Sequence, residues 1–128
     1  MVQLRKPLPP YLLRTPGGGK VYLPDLKGRI PILLRDPSLA RGVAEGLKGL
    51  EAQAFLLTEA PQESPLPLLL DPQGLLLHAI PPGGALVADP YLEVYHLGPV
   101  QEPEEVLEWV RFVEAQCPEC VLPEADWL

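Results

Sequence analysis

The stretch from Arg29 to Thr58 constrains this chain more than any other. Arg29 to Arg35 is short, mostly apolar and bounded by turn signals. That is the pattern of a strand buried on both faces, as in a parallel or mixed sheet. Asp36-Pro37 comes next and supplies an N-cap carboxylate and a first helical residue. Leu39, Val43, Leu47 and Leu50 then recur near helical spacing, with Arg41, Glu45 and Lys48 elsewhere on the wheel. Gly42, Gly46 and Gly49 weaken this helix intrinsically, so packing must hold it. Ala52 to Thr58 is a second apolar run. Strand, helix and strand in that order make a βαβ unit, whose crossover is right-handed in nearly every protein that has one.

The flanks add an antiparallel part at each end. Tyr11 to Arg14 and Lys20 to Leu23 read as strands around the turn Thr15-Pro16-Gly17-Gly18-Gly19. Pro61 to Pro67 is a loop. Leu68-Leu69-Leu70 is apolar and stops at the turn Asp71-Pro72-Gln73-Gly74, and Gly74 to Ile80 is expected as a short helix. After the break at Pro81-Pro82-Gly83-Gly84, Ala85 to Ala88 and Leu92 to Leu97 form a hairpin around Asp89-Pro90-Tyr91. Glu102 to Gln116 is the clearest helix. It opens on acids that suit a helix N-terminus and carries one apolar stripe, Val106, Leu107, Val110 and Val113. Cys117 to Leu128 is expected as a C-terminal tail. The sum is an α/β sandwich in one domain spanning 1–128.

Composition narrows the function. The 128 residues suit one domain, and 47% of them are hydrophobic, enough for a true core. A net charge of −7 argues against nucleic acid and against an anionic membrane surface as partners. The apolar runs are too short to span a bilayer, and the N-terminus lacks a signal core, so a soluble cytoplasmic protein is expected. The 18 prolines and single methionine fit a thermophile, or a GC-rich genome.

The two cysteines sit together in Cys117-Pro118-Glu119-Cys120. In a cytosolic chain that spacing suggests a redox dithiol or half a metal site. Here it would lie just past a helix C-terminus, where the dipole disfavours a thiolate. A zinc site would need two more ligands, which a symmetric dimer could supply as a second cysteine pair. The plain alternative is a surface disulfide or two free thiols. No spacing specifies a cofactor, and none is expected.

Several phrases in order resemble the peroxiredoxin branch (alkyl hydroperoxide reductase and thiol-specific antioxidant proteins) of the thioredoxin superfamily. These are Leu8 to Leu13, Gly19 to Gly28, Pro67 to Gly74, Ala85 to Asp89 with Leu92 to Val94, and Pro103 to Val113. The resemblance implies a thioredoxin-like three-layer sandwich with an N-terminal β-hairpin and a mixed central sheet. It also implies a nucleophilic cysteine at the start of the first helix, where the dipole lowers its pKa. This chain has Leu34-Arg35-Asp36-Pro37-Ser38-Leu39-Ala40-Arg41 there. Ser38 and Arg41 keep the C-x-x-C spacing with no thiol at either place, and a serine hydroxyl cannot form a disulfide. The same resemblance implies a cis-proline facing the site, with Pro82, or else Pro81, as its counterpart.

Arg35, Asp36, Ser38 and Arg41 thus read either as an anion pocket at a helix N-terminus or as a cap with solvated charges. His78 and His96 have no neighbouring nucleophile that would make a triad. Trp109 and Trp127 read as core or docking anchors. The expectation is a peroxiredoxin-related protein with a thiol–disulfide or antioxidant role at Cys117 and Cys120. Its partner would be a protein thiol or disulfide, and it could be a homodimer. The rivals are a non-catalytic binding or assembly module and a structural zinc site across a dimer.

Overall fold

The strand Ile30–Leu34 (β3) is buried from end to end. In the computed structural model, which describes residues 4–48, 52–60, 62–71, 73–74 and 76–126 with side chains as far as 115, it lies inside a mixed sheet. On one side it pairs in parallel with Ala52–Thr58 (β4), Ile30 opposite Ala52 and Leu34 opposite Leu56. On the other it pairs antiparallel with Gly84–Ala88, from Ile32 opposite Val87 to Leu34 opposite Ala85. Pro31 fits this interior strand because the second ladder stops at Ile32. Position 31 has one partner strand, so its missing amide breaks no pair there.

The remaining strands are Leu12–Arg14 (β1), Lys20–Tyr22 (β2), Leu68–Leu70 (β5) and Val94–Pro99 (β7), with Gly84–Ala88 as β6. The sheet of seven strands runs β2-β1-β5-β4-β3-β6-β7. Both expected hairpins form, β1 with β2 and β6 with β7. Leu68–Leu70 was not foreseen as a strand. It pairs in parallel with β4 and antiparallel with β1, and so joins the N-terminal hairpin to the βαβ core. Three residues are too few to show a period, so only their neighbours define them.

Alternation along β3 feeds two cores. Ile30, Ile32 and Leu34 pack with Leu39, Ala40 and Val43 of the helix Pro37–Gly46 (α1) and with Val106, Val110 and Val113 of the helix Pro103–Asp126 (α2). Leu33 joins Phe55, Leu57, Leu69 and Leu86 on the opposite face. That face is covered by Leu8, by Leu23 and Leu26 of a short 3-10 turn, by Leu76, Leu77 and Ile80, and by Leu92. The third layer is therefore irregular chain.

Of Gly74 to Ile80, expected as a short helix, the described stretch from Leu76 to Ile80 is a run of turns. The buried Asp71 organises it, its Oδ2 accepting from the amides of Leu76 at 2.7 Å and Leu77 at 3.0 Å. Gly74 has a φ of +72°, a left-handed turn in which a side chain is strained. The apolar run of leucines reflects burial against the sheet, which a helix and a packed turn satisfy equally.

The last helix also differs. It was expected to end at Gln116, before Pro118, and its backbone is helical as far as Asp126. Proline's fixed φ is itself close to helical. Pro118 and Pro123 each remove an amide donor from that helix, which continues past both. No described helix is long and apolar enough to cross a membrane.

The two helices touch through glycine. A Cβ on Gly42 would run into the ring of Pro103, and one on Gly46 into the side chain of Leu107. The weak intrinsic helix propensity noted in the sequence is thus the condition for close helix packing. Gly46→Ala should raise helix propensity by about 1 kcal/mol and still lower net stability by about 1–3 kcal/mol through overpacking, read by urea unfolding. In a Leu107→Ala background, where that space is open, the same change should become neutral or stabilising.

Candidate functional site

The junction between β3 and α1 lies where parallel strands end, beside the point at which the chain, having added β4 and β5 on one side of β3, crosses to add β6 on the other. Ligands in open α/β sheets commonly bind in such a crevice. Asp36 starts α1 from an extended conformation, with φ −99° and ψ 116°. Its Oδ1 accepts from the Ser38 amide at 2.9 Å and from the Ser38 hydroxyl at 2.9 Å. Pro37 takes the first helical position, where its lack of an amide proton is harmless. The Ser38 hydroxyl is thus a donor to the capping carboxylate. Ser38 and Arg41 are both exposed.

Arg35 ties this junction to the segment before β6. Its Nη1 donates to the Ile80 carbonyl at 2.7 Å, and its backbone amide donates to the Gly84 carbonyl at 3.2 Å. Sequence reasoning grouped Arg35 with the helix start but did not foresee this cross-link, which depends on β3 and β6 being neighbours. The side chain borders an open cleft of about 320 Å³, lined also by Pro37, Leu57, Thr58, Glu59 and Leu77. The end of β4 was missed as part of the site. The βαβ reading was the available signal, because it places the ends of both parallel strands together.

Pro82 comes near the junction through Arg35 but does not have the expected geometry. No described peptide bond is cis, so the counterpart of a cis-proline is absent at both Pro81 and Pro82. The Gly84 amide donates to the Pro81 carbonyl at 2.8 Å, and Gly83 has a φ of +71°. Proline followed by a glycine of positive φ is a type II turn, which uses a trans bond at the proline. Pro81 to Gly84 is therefore a regular turn with Pro82 exposed at its tip.

The side chains of Cys117 and Cys120 lie outside the described residues. Their backbone belongs to α2, inside the helix and several residues before Asp126. The expected penalty from a helix C-terminus falls away, since the dipole acts mainly within the last turn. Among the described residues no cluster of His, Cys, Asp or Glu could hold a metal.

His78 is exposed, its ring beside Gly74. His96 is half-buried on β7 and stacks on Trp109 of α2, ring centroids 5.0 Å apart. Its Nε2 is buried with no hydrogen-bond partner among the described residues. Burial pushes the His96 pKa below its ordinary value, against a smaller opposing pull from the Gly98 backbone and the Glu105 carboxylate.

No family model matches the chain, and no curated protein matches it. Solved structures do. A yeast mitochondrial 1-Cys peroxiredoxin aligns at a TM-score of 0.71 and 14% identity, over 93% of this chain and 79% of that one. The fold is thioredoxin-like. Enterococcus faecalis AhpC aligns at 0.63 and 17% identity, over 91% of this chain and 93% of its own. The dsbF protein of MTB, described in mixed oxidized and reduced forms, aligns at 0.67 and 13%, over 81% and 95% respectively. The neighbours are thus thioredoxin-fold peroxiredoxins and proteins of thiol–disulfide chemistry, and the expected three-layer arrangement with a mixed sheet holds. Identities this low carry the fold alone, and chemistry has to be argued from the residues at the site.

Two outcomes are expected of this thioredoxin-like frame. Asp36→Ala removes both cap bonds and should lower stability by about 1 kcal/mol in chemical denaturation, while Ser38→Ala keeps the amide bond and should have the smaller effect. His96 has a folded pKa below its unfolded one. Its stabilising effect is full above the unfolded value, and is lost as pH falls from there through the folded pKa. In a Trp127→Phe background, Trp109 fluorescence should titrate with a midpoint below about 6.5 and lose that transition in His96→Phe.

Proposed function

We propose that this thioredoxin-like protein does not reduce peroxide by the route its sequence resemblance implies, and that any thiol–disulfide exchange it performs runs through Cys117 and Cys120. The observation that carries the first part is at Ser38. The position at the start of the first helix holds a hydroxyl, and that hydroxyl is engaged as a donor to Asp36. A hydroxyl that donates to the cap of its own helix is a structural group. Nor can it pass through a sulfenic acid, the product of a thiolate attacking a peroxide.

The second part rests on Cys117 and Cys120 being the chain's only thiols. In the exchange, one thiolate attacks a sulfur of a partner protein's disulfide and displaces the other partner sulfur as thiolate. The second cysteine then attacks the mixed disulfide, releases the partner as a dithiol, and leaves this pair oxidised. Two electrons pass to the partner and atoms balance with no further reactant. Such a partner and a reducing cytoplasm belong together, because the dithiol must be regenerated there.

A second reading is a binding or assembly module on the same fold, possessing no catalysis. The Arg35 bond to Ile80 and the open cleft beside it favour that reading. A fixed cation at the cleft's edge would suit a polar ligand.

Wild type should reduce a protein disulfide in the presence of a dithiol, and Cys117→Ser/Cys120→Ser should fall to the protein-free rate. Equal rates in both would overturn the thiol role, and inactivity of both would leave the binding reading. Peroxide consumption with a thiol reductant should not exceed the blank, and turnover would overturn the first part. Thiol counts with and without reductant at native mass, together with zinc analysis, separate disulfide, dithiol and metal-bound pairs.

A further inference from the structure

The outer face of α2 beside β7 carries aromatic surface that the thiol reading does not use. Phe112 is 47% exposed. It meets Trp109 edge-on at 5.7 Å between centroids and Tyr95 of β7 at 6.1 Å. His96 covers one face of Trp109. Glu108, Trp109 and Phe112 bound an open cavity of about 310 Å³.

Beside that cavity the molecule already seats a guanidinium on an aromatic ring. The Arg5 guanidinium carbon lies 4.6 Å from the Tyr95 centroid, and its Nε lies 2.9 Å from Glu93 Oε2. The latter is an ion pair rather than an aligned hydrogen bond, since that oxygen accepts none. The Arg5 amide donates to the Val94 carbonyl at 2.7 Å, which holds the residue against β7. Ring, carboxylate and guanidinium form one unit there.

The cavity on α2 repeats two of those three parts. Phe112 and Trp109 supply rings, and the exposed Glu108 supplies the carboxylate. The nearest arginine on the helix is engaged elsewhere, Arg111 Nη1 lying 3.5 Å from Glu104. Among the described residues no cation is paired with Glu108. The chain's net charge of −7 adds a favourable field for a cationic partner.

We propose that the cavity bounded by Glu108, Trp109 and Phe112 docks an arginine side chain of a partner protein. Arginine fits better than lysine because its planar fork stacks on a ring while its edge donates to a carboxylate. The site is open to solvent, so docking is weak and falls with added salt. It is independent of Cys117 and Cys120.

The test uses the full chain carrying Trp127→Phe, so that Trp109 is the one fluorophore of its type. The probe is acetyl-Leu-Arg-Leu-amide, and its control replaces arginine by citrulline, which has the same shape and no charge. The arginine peptide should give a saturable change in Trp109 emission that weakens with salt. The citrulline peptide should bind about tenfold more weakly, the loss of one charge-assisted contact with its cation–π attraction. Glu108→Gln, an exposed change whose helix content circular dichroism verifies, should produce a similar loss, and Phe112→Ala a further one. Equal binding of the two peptides, no effect of Glu108→Gln, or no saturable change would each overturn the proposal. So would sedimentation showing that this face is already closed by a second copy of the chain and released by Phe112→Ala.

Discussion

The burial of β3 on both faces and both edges is the constraint on which the rest depends. Its five residues contact the helical layer with Ile30, Ile32 and Leu34 and the irregular layer with Leu33, while β4 and β6 complete its hydrogen bonds. A strand in that position cannot shift register by one residue without exchanging the contents of two cores. The residues just after β3 are therefore delivered to a fixed place. That place is the junction of Arg35, Asp36 and Ser38, at the ends of the parallel strands.

The polar groups at the junction serve its local structure. Asp36 caps α1 as a good N-cap should, and the hydroxyl of Ser38 is drawn into the cap. The corner beside it is a type II turn at Pro82-Gly83, with Arg35 reaching across to Ile80. Each feature stabilises the junction, and neither supplies a nucleophile. The β3–α1 junction and the proposed thiol role therefore reside in different parts of the chain.

The helical layer shows the same separation of local preference from tertiary demand. Gly42 and Gly46 disfavour α1 as an isolated helix, yet they are what lets Pro103 and Leu107 approach. On the other side of α2, Trp109 covers core and stacks with His96, while Phe112 remains outside. The helix thus has one face that closes the protein and another that presents ring and carboxylate to solvent.

By itself the sequence determined the βαβ core, both hairpins, the cap at Asp36-Pro37 and the absence of a thiol at Ser38. These depend on local pattern: apolar runs, turn residues and residue identity. Only the tertiary structure decided that Leu68–Leu70 is a strand, that Leu76 to Ile80 is a set of turns and that Pro82 is trans. It also decided that Arg35 reaches Ile80, and that the backbone around Cys117 and Cys120 is helical rather than beyond a helix end. For β5 the deciding partners are β4 and β1, and for Arg35 it is β6, all remote in sequence, whereas the turns close on the Asp71 carboxylate five and six residues away as well as on the sheet face. Three leucines or one arginine carry too little local preference to choose a strand or a partner, so long-range packing decides them.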